Sequence, residues 1–142
     1  MAHPKRIALV AHMTKKHDLI EWAKANRDLL MHHDLYAMEA TAPALERDLG
    51  IPVQTFKRGE IVHWAVTSGS APGSHLDAVI FFWNHPESLP HDPDARALLR
   101  LATLWNIPMA CNRASADCLV LSSVLPRAAQ QAAAPAHERS AA

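Results

Sequence analysis

Histidines (His12, His91), basic residues (Lys16, Lys57, Arg58) and carboxylates (Glu60, Asp94) stand where short apolar runs of this 142-residue sequence give way to polar residues. Together they suit a small phosphorylated carbonyl compound. Lysine and helix N-termini hold a phosphate, a carboxylate takes a proton, and a histidine polarises the carbonyl. Several of these residues have a plainer reading as well. His91 also reads as a loop histidine hydrogen-bonded near a helix start. Asp92 reads as a helix cap, and Asp94 as a first-turn carboxylate that favours the helix dipole.

Other chemistries fit less well. The ten histidines are scattered, and no closely spaced pair with cysteine partners forms a zinc pattern. His85, His91, Asp92 and Asp94 match no familiar metal spacing, and the helix cap already accounts for Asp92, so no metal is expected. Cys111 and Cys118 are too few for a disulfide framework and read as inert core thiols, which suits a reducing cytoplasm. Trp22, Trp64, Trp83 and Trp105 fall on apolar faces and read as core. Fourteen basic and fourteen acidic residues give a formal net charge of zero, so nothing in the balance points to nucleic acid. Lys57-Arg58 is too short for a nucleic-acid patch but could serve one phosphate. The apolar run from Ile7 to Ala11 is too short for a signal-peptide core, and no stretch approaches a membrane span. A soluble cytoplasmic protein with no membrane partner is expected.

The elements that must position these residues alternate along the chain. Arg6 to Ala11 is a first strand, left by the loop His12 to Lys16. Asp18 to His32 follows as a helix burying Leu19, Ile20, Trp22, Ala23, Leu29 and Leu30. Asp34 to Met38 is a second strand, and Glu39 to Pro43 opens a short helix that Gly50 caps. Ile51 to Thr55 is a weaker third strand with a proline near its start. Ile61 to Val66 reads as helical and stops at the Ser/Gly/Pro-rich loop Ser68 to Ser74. Val79 to Trp83 is apolar without alternation, as in a strand covered on both faces. The loop Asn84 to Asp94 then leads into a helix from Ala95 to Asn106, with Pro93 at its first turn. Ile107 to Asn112 is a fifth strand, and a helix from Ala114 to Leu125 closes the domain. This alternation predicts a single α/β domain: a doubly wound parallel sheet of about five strands with helices on both faces. Residues 1–125 form that domain and 126–142 an alanine-rich, low-complexity tail. Loops after the first four strands gather at one edge, where open α/β sheets bind ligands.

Six segments of this sequence resemble methylglyoxal synthase: Ile7 to His12, Leu35 to Ala37, Ile80 to Trp83, Pro90 to Asp94, Ala97 to Thr103, and Trp105 to Pro108 with Asn112. The likeness runs from about Arg6 to Leu121. It implies an enzyme that converts dihydroxyacetone phosphate to methylglyoxal and inorganic phosphate without metal or organic cofactor, and that assembles as a homohexamer. By the same resemblance, His12 and Lys16 match substrate-binding positions and Thr41 the last threonine of a phosphate loop. His91 matches the electrophilic histidine, which also binds substrate, and Asp94 an active-site aspartate.

The chain departs from the family at several positions. The family's aspartate after the first histidine is Met13, and the one after the Phe-Phe-Trp strand is Asn84. Glu39 enters the phosphate loop. The family's Gly-Gly-Asp segment, which holds the catalytic base, is absent in that form. A gapped match sets Gly59-Glu60 on the Gly-Asp pair, making Glu60 the base with Arg58 and Gly59 beside the phosphate, whereas an ungapped match sets Trp64 at the base position. Three functions follow: a methylglyoxal synthase, a catalytically impaired relative that binds phosphate or a phosphorylated metabolite, or a structural role through the hexamer-type surface alone.

Overall fold

The structure, a computed structural model, describes residues 4–57, 76–83, 93–122 and 124–125, with residues 93 and 94 as backbone. Apolar runs form the strands β1 (Arg6–Ala11), β2 (Asp34–Met38), β3 (Val53–Phe56), β4 (Ala78–Phe82) and β5 (Met109–Ala110). They make a five-stranded sheet in the order β3-β2-β1-β4-β5, and each pairing is parallel. The helices are α1 (Lys16–Ala25), α2 (Arg27–Leu30), α3 (Ala42–Leu49), α4 (Pro93–Leu104) and α5 (Arg113–Leu121), and a 3-10 turn over Met13–Lys15 joins β1 to α1. The chain winds outward from β1 through β2 to β3, then returns to the other side of β1 as β4. That reversal makes β1 and β4 the topological switch point, the crevice where such sheets receive ligands.

Alternating strand residues serve two cores, as the period of two demands. Ile7, Leu9, Leu35, Ile80 and Phe82 pack on one face with Leu19, Trp22, Leu45 and Val120, while Ala8, Val10, Val79 and Phe81 pack on the other with Leu98 and Leu101 of α4. All five residues of β4 are buried, which explains its unbroken apolar run. Helices thus cover both faces, as the sequence implies.

One long-range bond ties α1 to α5. Trp22 is buried and its indole Nε1 donates to Asp117 Oδ1 at 3.0 Å. Asp117→Ala strips that donor of its protein partner, and the expected destabilisation is about 1–3 kcal/mol, read as a lower urea midpoint.

Several boundaries differ from the sequence reading. The helix expected from Asp18 to His32 is two helices broken at Asn26, whose Nδ2 donates to the Trp22 carbonyl at 2.9 Å. Strand β3 begins after Pro52, which lacks the N–H a ladder needs. Strand β5 is confined to Met109–Ala110. Asn112 caps α5 by accepting from the Ser115 N–H at 2.8 Å, so that helix starts at Arg113, and it ends at Leu121 instead of Leu125. Cys111 and Cys118 are exposed, not core, and partial burial of the Cys111 thiol pushes its pKa up, which disfavours the thiolate. Trp105 is 42% exposed, because the helix ends at Leu104 and Trp105 stands in the turn that follows it. The expected helix Ile61 to Val66, the loops Ser68 to Ser74 and Asn84 to Asp92, Trp64 and the tail 126–142 lie outside the described residues.

Candidate active site

The described candidates His12, Lys16, Thr41 and Lys57 follow strands at the carboxyl edge of the sheet. His12 follows β1, its backbone N–H donating to the Phe82 carbonyl at 3.1 Å. Its half-buried ring meets Phe81 edge-on, with centroids 5.3 Å apart and planes at 80°. The contact fixes which way the imidazole faces: toward the side of the sheet that α4 covers. Lys15 N–H bonds to the His12 carbonyl at 2.8 Å and closes the turn that starts α1 at Lys16.

Lys16 spans two strands. From the first position of α1 its Nζ donates to the Ala40 carbonyl at 2.6 Å, so the ammonium sits against the loop that leaves β2. In that loop Thr41 is only 4% exposed. Its N–H bonds to the Met38 carbonyl at 2.9 Å and its carbonyl accepts from Leu45 at 3.1 Å, yet its hydroxyl makes no capping bond at the start of α3. Lys16 and the N-termini of α1 and α3 give this corner a positive potential suited to a phosphate dianion. Glu39 is exposed, so its charge is solvated and screened by salt.

The structure therefore brings His12, Lys16 and Thr41 together along the edge formed by β1 and β2. Lys57 is exposed immediately after β3 on the same edge. Pro93 is the first residue of α4, as the sequence implies, and Asp94 is the second. Arg58, Gly59, Glu60 and His91 lie outside the described residues. Met13, standing where the resemblance implies an aspartate, is 79% exposed, so an apolar side chain in solvent replaces that charge.

Sequence reasoning placed Trp83 with the core and missed its position beside His12. The signal available was that Trp83 ends its apolar run as His12 ends β1. What local sequence could not supply was that the two strands are neighbours. Among the described residues, no group of three or more His, Cys, Asp or Glu side chains could hold a metal ion. No helix among them is long and apolar enough to cross a membrane.

Known proteins give the arrangement a context. No family model matches the chain. It is 45% identical over 118 residues to a methylglyoxal synthase of Coxiella burnetii (strain RSA 493 / Nine Mile phase I), covering 83% of this chain and 82% of the relative. A methylglyoxal synthase of Pectobacterium atrosepticum is 41% identical over 135 residues, covering 95% of this chain and 88% of that one. The crystal structure of methylglyoxal synthase from Elizabethkingia anophelis NUHP1 superposes with a TM-score of 0.73 at 38% identity, covering 86% of this chain and 80% of that one.

Proposed function

The chain belongs to the methylglyoxal synthase family, and on that premise we propose that it converts dihydroxyacetone phosphate to methylglyoxal and inorganic phosphate. The observation that carries this is similarity along nearly the whole fold, including the edge that holds His12, Lys16 and Thr41. The protein is an enzyme of carbon–oxygen bond cleavage.

The site residues take their roles from the chemistry. Lys16, Thr41 and the N-termini of α1 and α3 hold the substrate phosphate, joined by Arg58 and Gly59. His12 binds the triose at the switch point. Glu60 removes a proton from the hydroxymethyl carbon beside the ketone, and His91 donates to the oxygen that becomes an enediolate. The electron pair then expels phosphate from the other carbon, breaking its C–O bond and leaving the enol of methylglyoxal. Solvent supplies the proton that completes the methyl group. Asp94, at the start of α4, completes the polar wall. No metal or organic cofactor takes part. By the same resemblance the protein works as a cytoplasmic homohexamer, which sedimentation of the purified protein would test. Residues 1–125 constitute the catalytic domain.

The purified protein incubated with dihydroxyacetone phosphate is expected to release methylglyoxal, with inorganic phosphate competing against substrate. Absence of product with phosphate binding retained would instead favour a non-catalytic binding module. Lys16→Met tests the phosphate corner separately. A hydrogen bond to a charged partner is worth about 1.5–3 kcal/mol, so KM for substrate and Ki for phosphate should both rise roughly ten- to a hundred-fold in steady-state assays.

A further inference from the structure

Trp83 is the residue just past β4, and three observations single it out. The first is register. Strands β1 and β4 pair with Val10 beside Phe81 and Ala11 beside Phe82, and the bond from the His12 N–H to the Phe82 carbonyl continues that ladder. One step further along, His12 and Trp83 stand side by side across the switch point. The second is direction. Both rings lie against Phe81 edge-on, His12 at 5.3 Å and Trp83 at 5.5 Å with planes at 63°, so His12, Phe81 and Trp83 form one aromatic row on the face that α4 covers. The third is an unspent hydrogen bond. The indole Nε1 of Trp83 is a buried donor with no hydrogen-bond partner among the described residues.

An unpaired buried N–H is costly, and native structures keep few of them. The contrast within this chain is direct: the buried Trp22 donates to Asp117, whereas Trp83 packs on the second core with its donor left over. A purely structural aromatic at this position has no need of an N–H. Trp83 itself stands at the carboxyl edge, beside a histidine assigned to substrate, at the switch point where this class of sheet receives ligands.

We propose that Trp83 is a substrate-contacting residue whose indole N–H donates a hydrogen bond to an oxygen of the bound phosphorylated triose. This rests on the functional reading above, adding a donor to it. Phe81 sets the spacing of the row, so that His12 and Trp83 grip one ligand from neighbouring strands. The indole is donor-only and carries no charge, so its contribution is directional and does not depend on pH over the range in which histidines titrate.

The test is Trp83→Phe, which keeps an aromatic ring in the row and removes only the donor. Wild type and variant are compared in steady-state kinetics on dihydroxyacetone phosphate, in calorimetric titration with inorganic phosphate, and in thermal melts. The expected result is a kcat/KM about ten- to a hundred-fold lower, with a melting temperature unchanged or higher because a buried unpaired donor has been deleted. If the N–H serves the phosphate, the phosphate Kd weakens by a similar factor; if it serves the carbonyl oxygen, the phosphate Kd holds and kcat falls. Unchanged kinetics and unchanged phosphate affinity overturn the proposal, as does a loss of activity matched by a loss of melting temperature. Failure of the functional reading is distinguishable, since it appears as a wild type that makes no methylglyoxal. In that event dihydroxyacetone phosphate itself is titrated calorimetrically, and equal affinity of the two proteins for it overturns the role of Trp83.

Discussion

Glu60→Gln is expected to lower turnover of dihydroxyacetone phosphate by roughly two to four orders of magnitude, the range a positioned general base contributes. Glutamine keeps the length and volume of the side chain but cannot take the proton. Phosphate affinity, which the proposal assigns chiefly to Lys16, Thr41 and the helix N-termini, should stay within a few-fold of wild type in calorimetry. The substitution therefore separates proton abstraction from binding. Glu60→Asp makes a useful companion. It shortens the side chain by one methylene, and a misplacement of about 1 Å can cost a hundred-fold in rate. Activity of this variant between those of Glu60→Gln and wild type would fit a carboxylate whose reach matters. Undiminished turnover in Glu60→Gln would show that the base is another residue. The ungapped match, with Trp64 at that position, would not rescue the assignment, because an indole is a donor only.

His91→Leu is the second large effect. Its proposed task is to donate to the ketone oxygen as that oxygen gains charge, an interaction stronger in the transition state than in the ground state. Removing one such donor costs about a hundred- to a thousand-fold in kcat. Because the loss falls on the transition state, kcat and kcat/KM should drop together while KM moves little. Lys16→Met should show the opposite division, with KM and the phosphate Ki carrying most of the change. If His91→Leu raised KM and left kcat alone, the histidine would be a binding group and the electrophile would have to be sought elsewhere, first at His12.

Much of the fold was legible because its signals are local. The unbroken apolar run ending at Trp83 meant a strand buried on both faces, and β4 is buried throughout. Gly50 marked the end of α3 and adopts the left-handed conformation there, at φ 70°. Pro93 marked the start of α4. What failed was set by tertiary contacts or by side-chain bonds with no strong sequence signature. Asn26 breaks the first helical stretch without a glycine or proline to announce it. Cys111 and Trp105 are exposed in the short connections that follow β5 and α4, and Cys118 lies on α5 opposite its buried Ala116 and Val120, placements that composition does not encode.

The site divided in the same way. His12 and Lys16 were recognisable from their place after the first strand. Thr41 came from the resemblance, and the structure adds that it is buried with a hydroxyl not used as a cap. The bond from Lys16 to the Ala40 carbonyl, which draws the ammonium onto the loop that leaves β2, joins residues 24 apart and could not be read locally. Trp83 was the largest omission. Its significance depends on β1 and β4 being neighbours in register, a property of strand order.

The departures from the family bear on chemistry rather than fold. Met13 is exposed where the resemblance implies a carboxylate, and Asn84 replaces another. Both changes remove a carboxylate that the resemblance implies, and the product assay decides whether the chain turns substrate over without them.

The central claim is that one enediolate is formed and resolved by elimination. The measurement that tests it most directly is the product balance of wild-type protein given dihydroxyacetone phosphate alone, followed in one sample for methylglyoxal, inorganic phosphate and glyceraldehyde 3-phosphate. The account predicts methylglyoxal and phosphate in equal amounts, at a rate proportional to protein, with no glyceraldehyde 3-phosphate. Glyceraldehyde 3-phosphate without phosphate release, or no product above the rate without protein, would contradict it.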